Sequence, residues 1–320
     1  MNDLFEKKPL IILSGPTSVG KSALAVNLAK DINGEIISAD SMQVYKGMDI
    51  GTAKITFDEM KDIPHHLIDI LDPKDDFSVA DFKYYAKNAI SKIYENGHIP
   101  IVTGGTGFYV QALLYDVDFE SSDGADNEYR NELENIALTK GSDVLFSMLK
   151  EIDPKSAEII HPNNVKRVIR AIEYFKETNQ PISEHNELMH MKDSEYTYAY
   201  FVLNDLRERV YKNIDKRVDI MIENGLVEEV KKLVSQGLNN DYVSMHGLGY
   251  KEIINYLNGD ISLDEAIYII KRDTRHFAKK QITWFKREKD VIWVNKPDFD
   301  YNNDRILEFL KDKLYERNVL

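Results

Sequence analysis

Gly15-Pro-Thr-Ser-Val-Gly-Lys-Ser22 follows the apolar run Leu10–Leu13 and fits the spacing G-x-x-x-x-G-K-[ST]. A strand that enters a glycine-bracketed turn and then a helix gathers backbone N–H groups at the positive helix end. That arrangement suits a di- or triphosphate. Gly15, Pro16, Thr17, Ser18, Val19 and Gly20 would form the cradle. Lys21 would add a point charge, and the Ser22 hydroxyl can complete the shell of a Mg²⁺ ion. The pattern is shared with ATP-binding proteins, so it leaves open whether the phosphate is substrate, energy source or leaving group.

Asp40 is the second residue with chemical potential. It ends the apolar stretch Glu35-Ile-Ile-Ser-Ala-Asp40, the next strand after the phosphate-loop helix. A carboxylate there could hold Mg²⁺, accept a proton from a nucleophile, or simply cap the segment that starts Ser41-Met-Gln43. Thr103-Gly-Gly-Thr-Gly107 is either a tight turn or a further wall of the same crevice. His65 and His66 are adjacent and too close in sequence to ligate one metal together, so they read as structural. Arg217 lies among interleaved charges on a helix and reaches a phosphate only if its face turns toward the crevice. Lys271, Arg275 and Lys279 recur every four residues and form a cationic stripe. Lys166, Arg167 and Arg170 form a smaller basic group. These residues alone describe a phosphate-binding enzyme with an acid in its crevice and two basic regions, which suits a kinase as well as anything else.

The elements that must position them read as an α/β fold. Strands are expected at Leu10–Ser14, Glu35–Ala39, His66–Ile70 and Ile99–Thr103, with helices at Lys21–Lys30 and Val79–Glu95. Ser78-Val-Ala-Asp81 is a capping box for the second helix, and Gly97 closes it. Alternating strands and helices predict a parallel sheet flanked by helices, with its loops converging at one edge. Residues 1–115 make the first part of this P-loop core. Residues 116–197 change to short helices punctuated by Pro154, Pro162 and Pro181, an inserted helical domain. Residues 198–320 return to the sheet at Tyr198–Leu203 and end in long helices, with a last strand at Val291–Val294.

Composition narrows the class. No apolar run in the 320 residues approaches a membrane span, and Met1–Lys8 lacks the layout of a secretory signal, so a cytoplasmic protein without membrane contact is expected. The absence of cysteine excludes disulfides, thiol catalysis and Cys-ligated zinc. A formal charge of −13 argues against nucleic acid, but charge distribution matters more than its sum. Lys271–Lys289 holds eight basic residues against two acids, whereas Asp116–Glu134 is acid-rich.

The motifs taken together resemble the bacterial tRNA dimethylallyltransferase family, also called tRNA isopentenyltransferases. They are Gly15–Ser22, Ile37-Ser-Ala-Asp-Ser-Met-Gln-Val-Tyr45, Met48-Asp-Ile-Gly-Thr-Ala-Lys54 and Pro64-His-His-Leu-Ile-Asp69. Thr103–Tyr109, Arg167-Val-Ile-Arg-Ala-Ile-Glu173, Gly247-Leu-Gly-Tyr250 and Thr274–Phe285 follow in the same order, so the resemblance spans nearly the whole chain. It implies transfer of a dimethylallyl group from dimethylallyl pyrophosphate to the N6 amine of the adenosine 3′ of the anticodon. The tRNAs served would read codons that begin with U. By the same resemblance Gly15–Ser22 bind the pyrophosphate leaving group with Mg²⁺ rather than hydrolysing ATP, Asp40 is the general base, and Thr106 and Arg217 assist. Asp40, Ser41, Met42, Gln43, Thr106, Lys166, Arg167, Arg170, Gly249, Tyr250, Lys251, Arg275 and Lys279 would contact the tRNA anticodon stem-loop. A monomer is expected. The chain departs from the family at Lys166, where the family often has Arg or Gln, and at His246-Gly-Leu-Gly-Tyr-Lys251, where it often has Arg-Cys-Val-Gly-Tyr-Arg; charge mostly persists through Lys251 but two-pronged hydrogen bonding does not.

Overall fold

The computed structural model describes residues 7–116 and 127–320. The amino-terminal Met1–Glu6 and part of the acid-rich stretch after Asp116 lie outside the described residues. Strand β1 (Lys8–Ser14) has Leu10–Leu13 fully buried, as expected of a strand covered on both faces. Helix α1 (Lys21–Ile32) follows the glycine loop and buries Leu24, Ala25, Val26, Leu28 and Ala29 against the sheet. Strand β2 (Gly34–Ser38), helix α2 (Phe57–Met60) and strand β3 (His65–His66) come next. Helix α3 (Val79–Glu95) starts with the expected Ser78/Asp81 capping box, and strand β4 (Ile99–Gly104) leads into helix α4 (Gly107–Leu114).

Five helices then form a unit spanning Tyr115–Ser194: α5 (Asn127–Lys140), α6 (Ser142–Ile152), α7 (Pro154–Ile159), α8 (Val165–Thr178) and α9 (Ile182–Met191). Its own core contains Leu133, Leu145, Leu149, Val168 and Ile172. Buried Asp153 pins two helix starts, accepting from Ser156 N at 3.0 Å and from Ser183 N and Oγ at 3.0 and 2.6 Å. Hydrogen bonds to the two serines outweigh burial and hold its carboxyl below the usual range.

The second compact unit combines Met1–Leu114 with Glu195–Leu320. Strand β5 (Tyr196–Asn204) rejoins the sheet. It is followed by α10 (Arg207–Glu223), α11 (Leu226–Ser235), α12 (Tyr250–Leu257), α13 (Leu263–Phe285), β6 (Val291–Asn295) and α14 (Asn303–Glu316). The six-stranded sheet runs β3-β2-β4-β1-β5-β6, with every pairing parallel. Ser14 sits opposite Gly104 and Val202, and Ser38 opposite Thr103. The loops after β1, β2 and β4 therefore leave the sheet at one level of its carboxyl edge, where such folds bind ligands.

One sequence expectation needs correction. The strand predicted over His66–Ile70 stops after His66, because Leu67 and Asp69 take left-handed φ values of 63° and 54° that no strand tolerates. Pro154 does punctuate, dividing α6 from α7, and it opens α7 at a position where a missing N–H costs nothing. Helices α2, α7, α9 and α12 were not anticipated, being short or lacking a long apolar period.

Candidate active site

The chain leaves β1 at Gly15, where a Cβ atom would lie 2.4 Å from the Leu203 carbonyl oxygen on β5. Only glycine passes that strand so closely. The Thr17 N–H donates to Gln281 Oε1 at 2.9 Å, while Gln281 Nε2 donates to the Gly105 carbonyl at 3.0 Å. One buried amide of α13 thus ties the phosphate loop to the loop after β4. Asn213 Nδ2 on α10 and Lys296 Nζ donate to the Ser18 and Val19 carbonyls, each at 3.3 Å. The loop is held from outside through its own backbone.

Two cations converge on it. Lys21 Nζ rests on the Pro16 carbonyl at 2.7 Å. Four residues beyond Asn213, Arg217 turns the same face of α10 inward. Its Nη1 lies 3.4 Å from Thr17 Oγ1 and its Nη2 3.5 Å from the Ala53 carbonyl. Burial, reinforced by the Arg217 charge and opposed by Asp40, brings the Lys21 pKa down to about 7. Burial also lowers the Arg217 pKa, against the pull of Asp40 and Glu59, although a guanidinium stays charged. Each cation makes the other costlier, and an anion between them would relieve both.

Asp40 lies two residues past β2. Its Oδ1 accepts the Met42 N–H at 2.9 Å, so one oxygen does cap the next turn, as the plainer sequence reading allowed. Among the described residues Oδ2 has no such bond and remains for a ligand. Thr106 opens α4 and donates its N–H to the Ala39 carbonyl at 3.4 Å, next door to Asp40.

Cavities lie on both sides of these groups. One of about 750 Å³ is lined by Lys21, Ser22, Ala53, Lys54, Lys216 and Arg217. Another of about 600 Å³ is lined by Thr17, Asp40, Met42, Thr106, Arg217 and Phe277. A smaller space of about 110 Å³ shares Lys21, Ser22 and Arg217 with the first and Asp40, Arg217 and Gln281 with the second. Ser22 and Asp40 therefore present a hydroxyl and a carboxylate to one small space. No cluster of three His, Asp or Glu able to cage a metal occurs among the described residues. The Ser22 hydroxyl fits Mg²⁺, which takes one or two protein oxygens and completes its shell with phosphate and water, and leaves Asp40 as the carboxylate beside it.

Other expected residues fall in varied places. Ser41 and Met42 line the 600 Å³ cavity, whereas Gln43 lines the small space and accepts from Ser38 Oγ at 3.2 Å. Gly249 is the N-cap of α12, and Lys251 is exposed. Tyr250 is only 1% exposed, and its hydroxyl donates to Glu229 Oε1 at 2.7 Å. The cationic stripe is largely neutralised: Lys271 pairs with Asp219 and Arg275 with Asp215, each at 2.5 Å, leaving Lys279 exposed. In the helical unit, Lys166 and Arg167 are exposed at the start of α8, and Arg170 lies 3.9 Å from Glu177. His66 and His98 bond to buried Glu35 at 2.6 and 2.5 Å, a structural role. Burial pushes the Glu35 carboxyl up, but the bonds from His66, His98 and Asn96 outweigh it and hold the pKa low.

Sequence reasoning missed Gln281, Glu229 and Lys54. The Lys54 side chain is 5% exposed and donates to Tyr45 O at 2.8 Å and to Asp49 and Asp69 at 2.5 Å each. A buried lysine needs such acids, and Asp49 and Asp69 both stand in quoted motifs. That pairing was the one available signal.

Known proteins resemble this chain over nearly its whole length. The family model described as IPP transferase matches residues 43–288, and the one described as isopentenyl transferase matches residues 8–75. A tRNA dimethylallyltransferase of Lachnoclostridium phytofermentans is 58% identical over 304 residues, covering 95% of this chain and 97% of that one. The full-length tRNA isopentenylpyrophosphate transferase of Bacillus halodurans is 45% identical with a TM-score of 0.73, covering 98% of each chain. A eukaryotic dimethylallyltransferase solved acting on tRNA gives a TM-score of 0.75 at 30% identity, over 90% of this chain and 74% of that one.

Proposed function

The chain belongs to the IPP transferase family and is a transferase that carries a dimethylallyl group to tRNA; from that premise we propose how its residues divide the work. The donor is dimethylallyl pyrophosphate, with its pyrophosphate in the loop Gly15–Ser22. The acceptor is the N6 amine of the adenosine 3′ of the anticodon, in tRNAs reading codons that begin with U. The observation that carries this reading is the convergence of Lys21 and Arg217 on Thr17 and Pro16, within reach of Asp40's cavity.

In the reaction the allylic C–O bond of the donor breaks and its electron pair leaves with pyrophosphate. Loop amides, Lys21 and Arg217 are preorganised around that growing charge. Mg²⁺, held by Ser22 and the phosphates, would supply further neutralisation of the leaving group. The adenine amine is a poor nucleophile, because its lone pair is delocalised into the ring. Asp40 Oδ2 accepts its proton as the N–C bond forms, and orients the amine toward the allyl carbon. Thr106, on the same wall, offers a hydroxyl to the base edge. Ser41 and Met42 line the pocket that receives a flipped adenine.

Lys166, Arg167, Arg170, Lys251 and Lys279 act as backbone grips that position the RNA without reading its sequence. Arg275 serves indirectly, by fixing α10 through Asp215 and so holding the helix that carries Arg217. Among the described residues no helix is long and apolar enough to cross a membrane, and the reading places a monomer in the cytoplasm with its tRNA.

The acceptor is tested by competition. Offered tRNA together with excess AMP and one donor, the protein is expected to modify the tRNA alone. Modification of AMP in preference to tRNA would overturn the acceptor while leaving the pyrophosphate chemistry intact.

A further inference from the structure

The segment Asp49–Lys54 forms a wall common to the cavities. Ile50, Ala53 and Lys54 face the 750 Å³ cavity, Gly51 and Thr52 the 600 Å³ one, and Thr52 and Ala53 the small space. It also supplies the Ala53 carbonyl on which Arg217 Nη2 rests. The segment is wound on itself: Lys54 N donates to Asp49 O at 2.9 Å, and Thr52 Oγ1 donates to Met48 O at 2.6 Å.

One side chain outside all three cavities fixes it. Glu229, on α11, accepts the N–H groups of Asp49 and Ile50 on Oε2 at 2.9 and 2.8 Å, and that of Gly51 on Oε1 at 3.1 Å. Three consecutive amides aimed at one point form an anion nest, and Glu229 fills it. Tyr250 donates a fourth bond at 2.7 Å; burial, and then the Glu229 charge, push its phenol far up, so it remains a donor. Gly51 completes the fit, since a Cβ there would meet the Tyr250 ring at 2.6 Å.

Resting on the dimethylallyl-transfer reading, we propose that Glu229 is a positioning residue for that reaction. It touches neither substrate. It sets the height of Asp49–Lys54, and through Ala53 the direction of Arg217 toward the pyrophosphate. Nothing else among the described residues bonds the Asp49, Ile50 and Gly51 amides, so this carboxylate sets the leading end of the wall, while Lys54 ties its far end to Tyr45 and Asp69.

The test substitutes Glu229→Gln, which puts an amide NH₂ against backbone donors. Transfer is measured in a single turnover, and pyrophosphate binding by calorimetry, at a temperature where the variant is folded by circular dichroism. Transfer is expected to slow about tenfold or more and pyrophosphate to bind about threefold more weakly, since small displacements of reacting groups cost that much. Glu228→Gln, exposed one residue earlier on the same helix, should match the parent in both. A folded Glu229→Gln protein with parental rate and pyrophosphate affinity overturns the proposal, as does one that only melts earlier. If that variant does not fold, Glu229→Asp, which keeps the charge but withdraws it, is judged by the same two ratios. A parent protein that binds pyrophosphate but forms no adduct on tRNA defeats the transfer reading instead, and the pyrophosphate ratio still decides the role of Glu229.

Discussion

An Asp40→Asn protein is expected to transfer the dimethylallyl group about 10³-fold more slowly than the parent, within the usual range for loss of a general base. Its affinity for pyrophosphate should be equal or slightly higher, because a carboxylate beside the anion site has been removed. The substitution isolates proton acceptance from structure. The asparagine Oδ1 can still receive the Met42 N–H that Asp40 Oδ1 now holds at 2.9 Å, so the turn entering Ser41–Gln43 survives. What disappears is the group that takes the amine's proton. Single-turnover kinetics with saturating tRNA measure the step directly. An unchanged rate would remove Asp40 as the base and leave it a turn cap.

The second large effect belongs to Lys21. Lys21→Met is expected to lower kcat/KM for the donor about 10²–10³-fold, the usual loss when one preorganised partner of developing charge is deleted. A pH signature accompanies it. With a pKa of about 7 in the free protein, Lys21 loses its proton as pH rises through neutrality. Pyrophosphate prefers the charged amine, so binding takes up a proton and the parent's affinity should fall above pH 7, by at most about tenfold per pH unit. Ionisation of pyrophosphate itself works in the opposite direction. The difference between parent and Lys21→Met titrations therefore isolates the lysine. Equal slopes for the two proteins would show that Lys21 is not the group titrating at the anion site.

Legibility in the sequence followed locality. The phosphate loop, the strand ending near Asp40 and the Ser78/Asp81 cap are written within a few residues of themselves. Each formed as expected because hydrogen bonds and backbone preferences there involve near neighbours. The parallel sense of the strands then followed from alternation, since a buried strand needs helices on both faces. The strand predicted past His66 failed because its apolar pattern, Leu67-Ile-Asp-Ile70, serves an irregular turn in which only Leu67 is buried. Gln281 lies 264 residues from Thr17, and Glu229 about 180 from the amides it collects; no local pattern carries such pairings. The cationic stripe shows a different limit. Lys271 and Arg275 matched the spacing of a phosphate grip, but Asp215 and Asp219 repeat at the same spacing on α10 with opposite charge. Reading the two helices against each other would have paired them.

The central claim is that this loop holds a leaving pyrophosphate rather than a nucleotide to be hydrolysed. Incubating the protein with unmodified tRNA, dimethylallyl pyrophosphate and Mg²⁺, without ATP, and analysing the digested nucleosides by mass spectrometry tests it most directly. A dimethylallyl increment on the adenosine beside the anticodon, with pyrophosphate released in equal amount, is the expected result. Folded protein that leaves the tRNA unmodified, or that modifies it only when ATP is added and consumed, would contradict the account.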